Sequence, residues 1–140
     1  MLTHISGAIL CGGLNTRMNG QAKCNIRLGR QTFLQRLAQT LGSVCDDVSI
    51  ITRHADNFWP VSLPVYSDIF SLRCSLTGVH TALSYSRHHH VFITACDTPL
   101  LVPDLIRLLL SKASPADDVV VPIRNGYFEP LCALYSHNCL

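Results

Sequence analysis

Charge is scarce in this chain: of 140 residues only 14% are Asp, Glu, Lys or Arg, against 48% hydrophobic. Eleven basic and nine acidic side chains leave a net charge of +2. With no basic stripe or tail, that excludes nucleic acid or an anionic membrane as the main partner. Long apolar runs are missing too. The greasiest stretch, 100–110, is broken by Pro103, Asp104 and Arg107, so nothing approaches the roughly 20 residues of a membrane span. Met1–Ser6 carries no basic n-region, and Gly12-Gly13 ends the first apolar run too soon for a secretory signal. These absences predict a cytoplasmic protein.

There is no C-x-x-C pair and no Cys/His group at zinc spacing. The seven cysteines stand far apart, at 11, 24, 45, 74, 96, 132 and 139. In a chain rich enough in apolar residues to build a core, they read as small buried hydrophobes in a reducing compartment. No internal repeat, linker or low-complexity tract divides the sequence, and its length fits one domain over 1–140.

What is present is an alternation of short apolar runs and helix-period segments. Ser6–Cys11, Asp47–Thr52, Pro64–Ser67, Val91–Cys96, Val119–Pro122 and Leu131–Tyr135 read as strands, Ser6–Cys11 and Val91–Cys96 as buried ones. Thr32 and Gln35 form a capping-box signature ahead of apolar residues at helical spacing, with Gly42 as the stop. A second helix is expected over Leu76–Tyr85, and a third from an Asp104 cap through Leu110. Strands separated by single helices predict an α/β fold with a mainly parallel sheet and helices on both faces.

Ligands of such sheets lie beyond the carboxyl ends of the strands, and three of these ends carry unusual residues. The first is Leu10-Cys11-Gly12-Gly13, followed by Arg17 and Lys23. Adjacent glycines let backbone N–H groups approach a phosphate, Arg17 offers a planar fork and Lys23 a mobile point charge. It is neither a Walker A loop nor a G-x-G-x-x-G fingerprint. The second is Cys96-Asp97-Thr98-Pro99, where a carboxylate after a buried strand can hold Mg²⁺ against phosphates. The third is Asp68, after Val65–Ser67, which on its own is also an ordinary loop opener.

These positions, in this order, resemble the molybdenum cofactor guanylyltransferases, the MobA-like branch of the nucleotidyltransferases. The resemblance runs through L-C-G-G-x-x-x-R-M-x-x-x-x-K at 10–23, L-G-R-Q-T-F-L-Q at 28–35, S-D at 67–68, L-T-G at 76–78, A-C-D-T-P-L-L at 95–101 and E-P-L-C-A-L-Y at 129–135. It implies a three-layer α/β/α Rossmann-like nucleotidyltransferase fold. It also implies transfer of GMP from GTP to molybdenum-bearing molybdopterin, with Mg²⁺ as cofactor and pyrophosphate released. By the match, Leu10, Cys11, Gly12 and Gly13 line the guanine and phosphate pocket. Arg17 and Lys23 steady the triphosphate, Asp97 ligates the metal and Asp68 contacts the nucleotide. Relatives that use CTP carry alanine where Gly12 stands, which favours a guanine nucleotide.

The chain departs from the family at Asn19, where glycine is usual, at Ile50, and at Cys74–Gly78, which replaces G-P-L-A-G. Family members continue past the last matching strand to an N-x-N-T-P motif, so the fold is expected in C-terminally shortened form. Its bare sheet edge would take a second copy or a molybdoenzyme-maturation partner. Two alternatives stay open: a transferase using CTP or a sugar-phosphate acceptor, and a catalytically inactive nucleotide-binding module. Other conspicuous residues read as structural. His88-His89-His90 is expected in a solvated turn, Phe58-Trp59-Pro60 packed under a loop, and Cys96 a buried thiol without a base to activate it.

Overall fold

The computed structural model describes residues 2–11, 17–18, 21–53 and 61–140. Gly12, Gly13, Asn19 and Phe58-Trp59-Pro60 lie outside the described residues. Six strands form one sheet: β1 (Ser6–Leu10), β2 (Asp47–Thr52), β3 (Val65–Ser67), β4 (His90–Ala95), β5 (Val119–Val120) and β6 (Cys132–Ser136), in the order β3-β2-β1-β4-β6-β5. β1 runs parallel to both β2 and β4, and β2 parallel to β3. β6 alone is reversed, pairing antiparallel with β4 on one side and β5 on the other. The mainly parallel α/β expectation therefore holds. The apolar runs of β1, β2 and β4 follow from burial on both faces, which leaves no face for alternating polar residues.

Helices α1 (Phe33–Gly42) and α3 (Pro103–Lys112) cover one face, packing Leu34, Leu37, Leu41, Ile106 and Leu109 against Ile9, Ile50, Phe92 and Leu134. Helix α2 (Ser75–Tyr85) covers the other, with Val79, Ala82 and Leu83 against Ala8, Leu10, Ile51 and Ile93. At the start of α1 the capping box is complete. Thr32 Oγ1 accepts from the Gln35 N–H at 3.1 Å, and Gln35 Oε1 accepts from the Thr32 N–H at 2.9 Å. Gly7 lets α1 lie close over β1: a Cβ there would stand 2.9 Å from Leu41 Cδ2 and 3.0 Å from Cys45 Sγ.

Four local expectations need correction. Asp104 does not cap α3. Val102 is the N-cap and Pro103 occupies the first turn, where its missing N–H has no helical partner to lose. Asp104 sits inside that turn, favoured by the helix dipole, and accepts from Arg107 at 2.9 Å. The expected strand 119–122 shortens to Val119–Val120, and a separate exposed ribbon pairs Ile123–Arg124 with Tyr127–Phe128. Its turn is Asn125-Gly126, both left-handed at φ 52° and 82°, the residue pair this tight hairpin turn favours.

The histidine run also divides. His89 is exposed in the turn, but His90 opens β4 and is buried, because that strand is covered on both faces. His88 lies beside Asp47, at 3.7 Å. Finally, Cys11, Cys24, Cys45 and Cys96 are buried as expected, whereas Cys74 and Cys139 are exposed. Burial, with Asp47 and Asp46 nearby, pushes the Cys45 thiol up to about 12.

Candidate active site at the sheet switch point

The order β3-β2-β1-β4 changes direction at β1: the chain builds outward through β2 and β3, then returns to add β4 on the other side. A crevice opens beyond the carboxyl ends of two such strands, because their connections leave in opposite directions. Both ladders extend one residue past the strands. The Cys96 N–H donates to the Leu10 carbonyl at 3.0 Å, and the Cys11 N–H to the Ile51 carbonyl at 2.7 Å. The chain therefore leaves the sheet at two adjacent points. One leads into the Gly12-Gly13 stretch and the other into Asp97.

Asp97 is exposed, on a turn held from below. Thr98 Oγ1 donates to the Ala95 carbonyl at 2.9 Å and shares a 2.9 Å hydrogen bond with Thr94 Oγ1. Arg36 Nε, from α1, donates to the Pro99 carbonyl at 3.3 Å. Leu10 and Cys11 are buried at the end of β1. Arg17 falls in a two-stranded ribbon, Arg17–Met18 with Gln21–Ala22, and Lys23 opens the short 3-10 turn Lys23–Asn25.

Asp68 follows β3 on the same carboxyl edge, its N–H donating to the Thr52 carbonyl at 2.8 Å. It stands two strands from β1, about 10 Å at ordinary strand spacing. The structure thus groups Leu10, Cys11 and Asp97 at the switch point and sets Asp68 at the far end of the edge. Asp68 Oδ1 is buried without a hydrogen-bond partner among the described residues. Burial raises its pKa, opposed by the positive charge of Arg53.

Arg53 is a residue that the sequence reading missed. It follows β2 on this edge and donates to the Ser71 carbonyl at 3.4 Å. The signal was available, since Arg53 is the first cation after an apolar strand that ends at the carboxyl edge.

The raised pKa of Asp68 has a sign that can be tested. Between the ordinary carboxylate range and the raised folded value, the native state holds more protons than the unfolded chain. Stability contributed by this group therefore falls as pH rises through that window. Asp68→Asn is expected to flatten this slope in urea unfolding midpoints taken from pH 4 to 7. An unchanged slope would assign it to other groups.

A third feature was not legible from spacing. Cys11, Cys24 and Cys96 belong to one buried cluster beneath the switch point. Hydrogen bonding to Cys24 and Cys96, with burial, pushes the Cys11 thiol up. The bond from Cys11 lowers that of Cys24.

A doubly covered, mostly parallel sheet with a glycine stretch and an acidic strand end at its switch point is the frame of a nucleotidyltransferase. Solved structures share this fold. The molybdopterin-guanine dinucleotide biosynthesis protein A of Archaeoglobus fulgidus superposes with a TM-score of 0.75 at 20% identity, covering 95% of this chain and 68% of that one. A nucleotidyl transferase from Methanothermobacter gives 0.77 at 15% identity, covering 97% and 73%.

The chain belongs to the MobA-like NTP transferase domain family, whose model matches residues 7–140. Among curated proteins it is 37% identical, over 97% of its length, to the molybdenum cofactor guanylyltransferase of Desulfosudis oleivorans. The match covers 67% of that relative, so the chain spans about two thirds of its length. Among the described residues no helix is long and apolar enough to cross a membrane.

Proposed function

We propose that this chain forms a single nucleotide-binding unit that transfers GMP from GTP to molybdenum-bearing molybdopterin, releasing pyrophosphate. The observation that carries the reading is the meeting of the Leu10-Cys11 and Cys96-Asp97 strand ends, joined by the 3.0 Å Cys96–Leu10 hydrogen bond. The chain passes from these two adjacent strand ends into Gly12-Gly13 and into Asp97, which supports the reading.

In this reading the backbone N–H groups at Gly12 and Gly13 cradle phosphate oxygens, and Leu10 and Cys11 form the pocket floor. Arg17 and Lys23 offset the charge that gathers on the departing pyrophosphate. Asp68, with Arg53 beside it, holds the nucleotide at the outer end of the edge. No side-chain nucleophile or base is required, since the attacking phosphate is already ionised. The protein's task is to align it opposite the leaving group.

Asp97 is the residue that would hold Mg²⁺. A carboxylate at a strand end suits this ion, which is commonly held by one or two carboxylates together with substrate phosphates and water. When bound, the ion neutralises triphosphate charge and polarises the reacting phosphoryl group.

The test is calorimetric titration with GTP and then CTP, each with and without Mg²⁺. Mg²⁺-assisted binding of GTP alone is expected. Preference for CTP would move the chain to a different transferase, and binding of neither would overturn the reading for these 140 residues.

A further inference from the structure

The ribbon that pairs Ile123–Arg124 with Tyr127–Phe128 stands outside the main sheet, and all four of its paired residues are exposed. Ile123 is 63% exposed, Tyr127 77% and Phe128 65%. Strands this short gain little stability of their own, and large apolar side chains held at a surface mark a place where something docks.

The topology fixes where the ribbon lies. β4 and β5 are both antiparallel to β6, so β5 ends on the carboxyl edge from which the chain runs into Asp97. There the chain forms the ribbon and returns into β6 beside the end of β4. The Ala95 N–H donates to the Leu131 carbonyl at 3.2 Å, and Cys132 lies opposite Thr94. The Cys132 N–H also closes a turn on the Glu129 carbonyl at 3.1 Å, which keeps Glu129 within about 7 Å of Cys132. The foot of the ribbon is next to the strand end that leads into Asp97.

The ribbon is also firmly mounted. The Glu129 N–H donates to the Pro122 carbonyl at 3.0 Å, and Arg124 Nε donates to Glu129 Oε1 at 2.9 Å. Residues directly opposite in an antiparallel pair share a face, so Arg124 and Tyr127 form one face and Ile123 and Phe128 the other. The first combines an open aromatic ring with a guanidinium that Glu129 orients and whose side chain is 78% exposed. The second offers apolar area without a polar group to orient a ligand.

We propose that the Arg124–Tyr127 face seats the planar heteroaromatic ring of the acceptor, which stacks on Tyr127 while the Arg124 Nη groups donate to its carbonyl edge. This rests on the guanylyltransferase reading, whose acceptor is a pterin. An aromatic side chain stacks on any flat ring, whereas a fixed fork of N–H donors selects a ring with acceptors along its edge. Anchoring the ring on the ribbon leaves the phosphate end of the acceptor to lie toward Asp97, so the ribbon acts by positioning.

The experiment titrates 6-hydroxymethylpterin, whose fluorescence is quenched by stacking, into the full chain, and measures GTP affinity separately by calorimetry. Saturable quenching is expected, undiminished by excess GTP. Tyr127→Ala should weaken pterin binding by about tenfold or more, in the range found for bases stacked on aromatic side chains. Tyr127→Phe keeps the ring and should bind nearly as the parent does. Arg124→Met should cost about fivefold or more, as expected for a lost hydrogen bond from a charged donor. Phe128→Ala, on the opposite face, should leave pterin binding unchanged. Urea midpoints check the fold of each variant.

Absence of saturable quenching would overturn the proposal. So would unchanged affinity in Tyr127→Ala, a loss in Phe128→Ala instead, or displacement of the pterin by GTP, which would put it in the nucleotide pocket. A parent that sediments as a dimer, with Tyr127→Ala a monomer and neither binding pterin, would give the ribbon to a second copy of the chain. GTP binding without pterin binding would sink the ribbon proposal alone. Pterin binding without GTP binding would sink the nucleotide reading and leave the ribbon as a pterin site.

Discussion

Asp97→Ala is expected to weaken Mg²⁺-dependent GTP binding by about a hundredfold or more, the scale on which removing one preorganised charge-stabilising group acts. The residual affinity should no longer respond to Mg²⁺. Asp97 is exposed, and Thr98 holds its turn through the Ala95 carbonyl and Thr94 Oγ1. A urea midpoint measured on the same variant separates a binding defect from a folding defect. Asp97→Asn keeps the side-chain volume and removes the charge, and should fail in the same way. Metal-dependent affinity left intact in both variants would remove Asp97 from the site and leave the switch-point crevice without its acidic member.

The largest effect on stability is expected at Phe92. Its ring is fully buried in β4, the strand that pairs with both β1 and β6. It packs in the cluster that α1 and α3 close from one side. Phe92→Ala removes most of an aromatic side chain and leaves a cavity between a helix layer and the centre of the sheet. The cost should be about 3–5 kcal/mol, a large share of the 5–15 kcal/mol that typically separates folded from unfolded domains. Urea unfolding should show the midpoint falling with little change in slope. A loss under about 1 kcal/mol would mean that the neighbouring leucines collapse into the space.

Local rules gave much of this fold because local interactions decide it. Thr32 and Gln35 specify the start of α1 by bonding each other's backbone, and no distant residue is needed. The buried runs of β1, β2 and β4 announce strands covered on both faces. Other features turn on choices that a pattern cannot rank. Asp104 is a good cap by type, but Pro103 fits the first helical position, so the helix begins there with Val102 as its N-cap. Asn125-Gly126 is a strong hairpin signal, and the ribbon it closes went unread because its flanking strands are two residues each and carry no periodicity.

The reversed direction of β6 cannot be seen in an apolar run, which reads the same parallel or antiparallel. At the site, the glycine stretch and Asp97 were legible because each directly follows a recognisable strand. The thiol cluster was not, because residues 11, 24 and 96 meet only once β1 and β4 lie side by side. Arg53 faces Asp68 only through the pairing of β2 with β3.

The central place of β1 bears on how the protein is made. During synthesis β1 emerges first and can pair with β2 soon afterwards, but its other edge belongs to β4, where Ser6 meets Val91 and Leu10 meets Ala95. Until the ribosome has released that later strand, a five-residue apolar segment waits with a row of unpaired backbone groups facing outward. Such an edge readily pairs with the wrong strand, including the same segment of another nascent chain. One of the two central strands of the finished sheet is thus the one exposed longest during its birth, and a holding chaperone would protect it most in that interval.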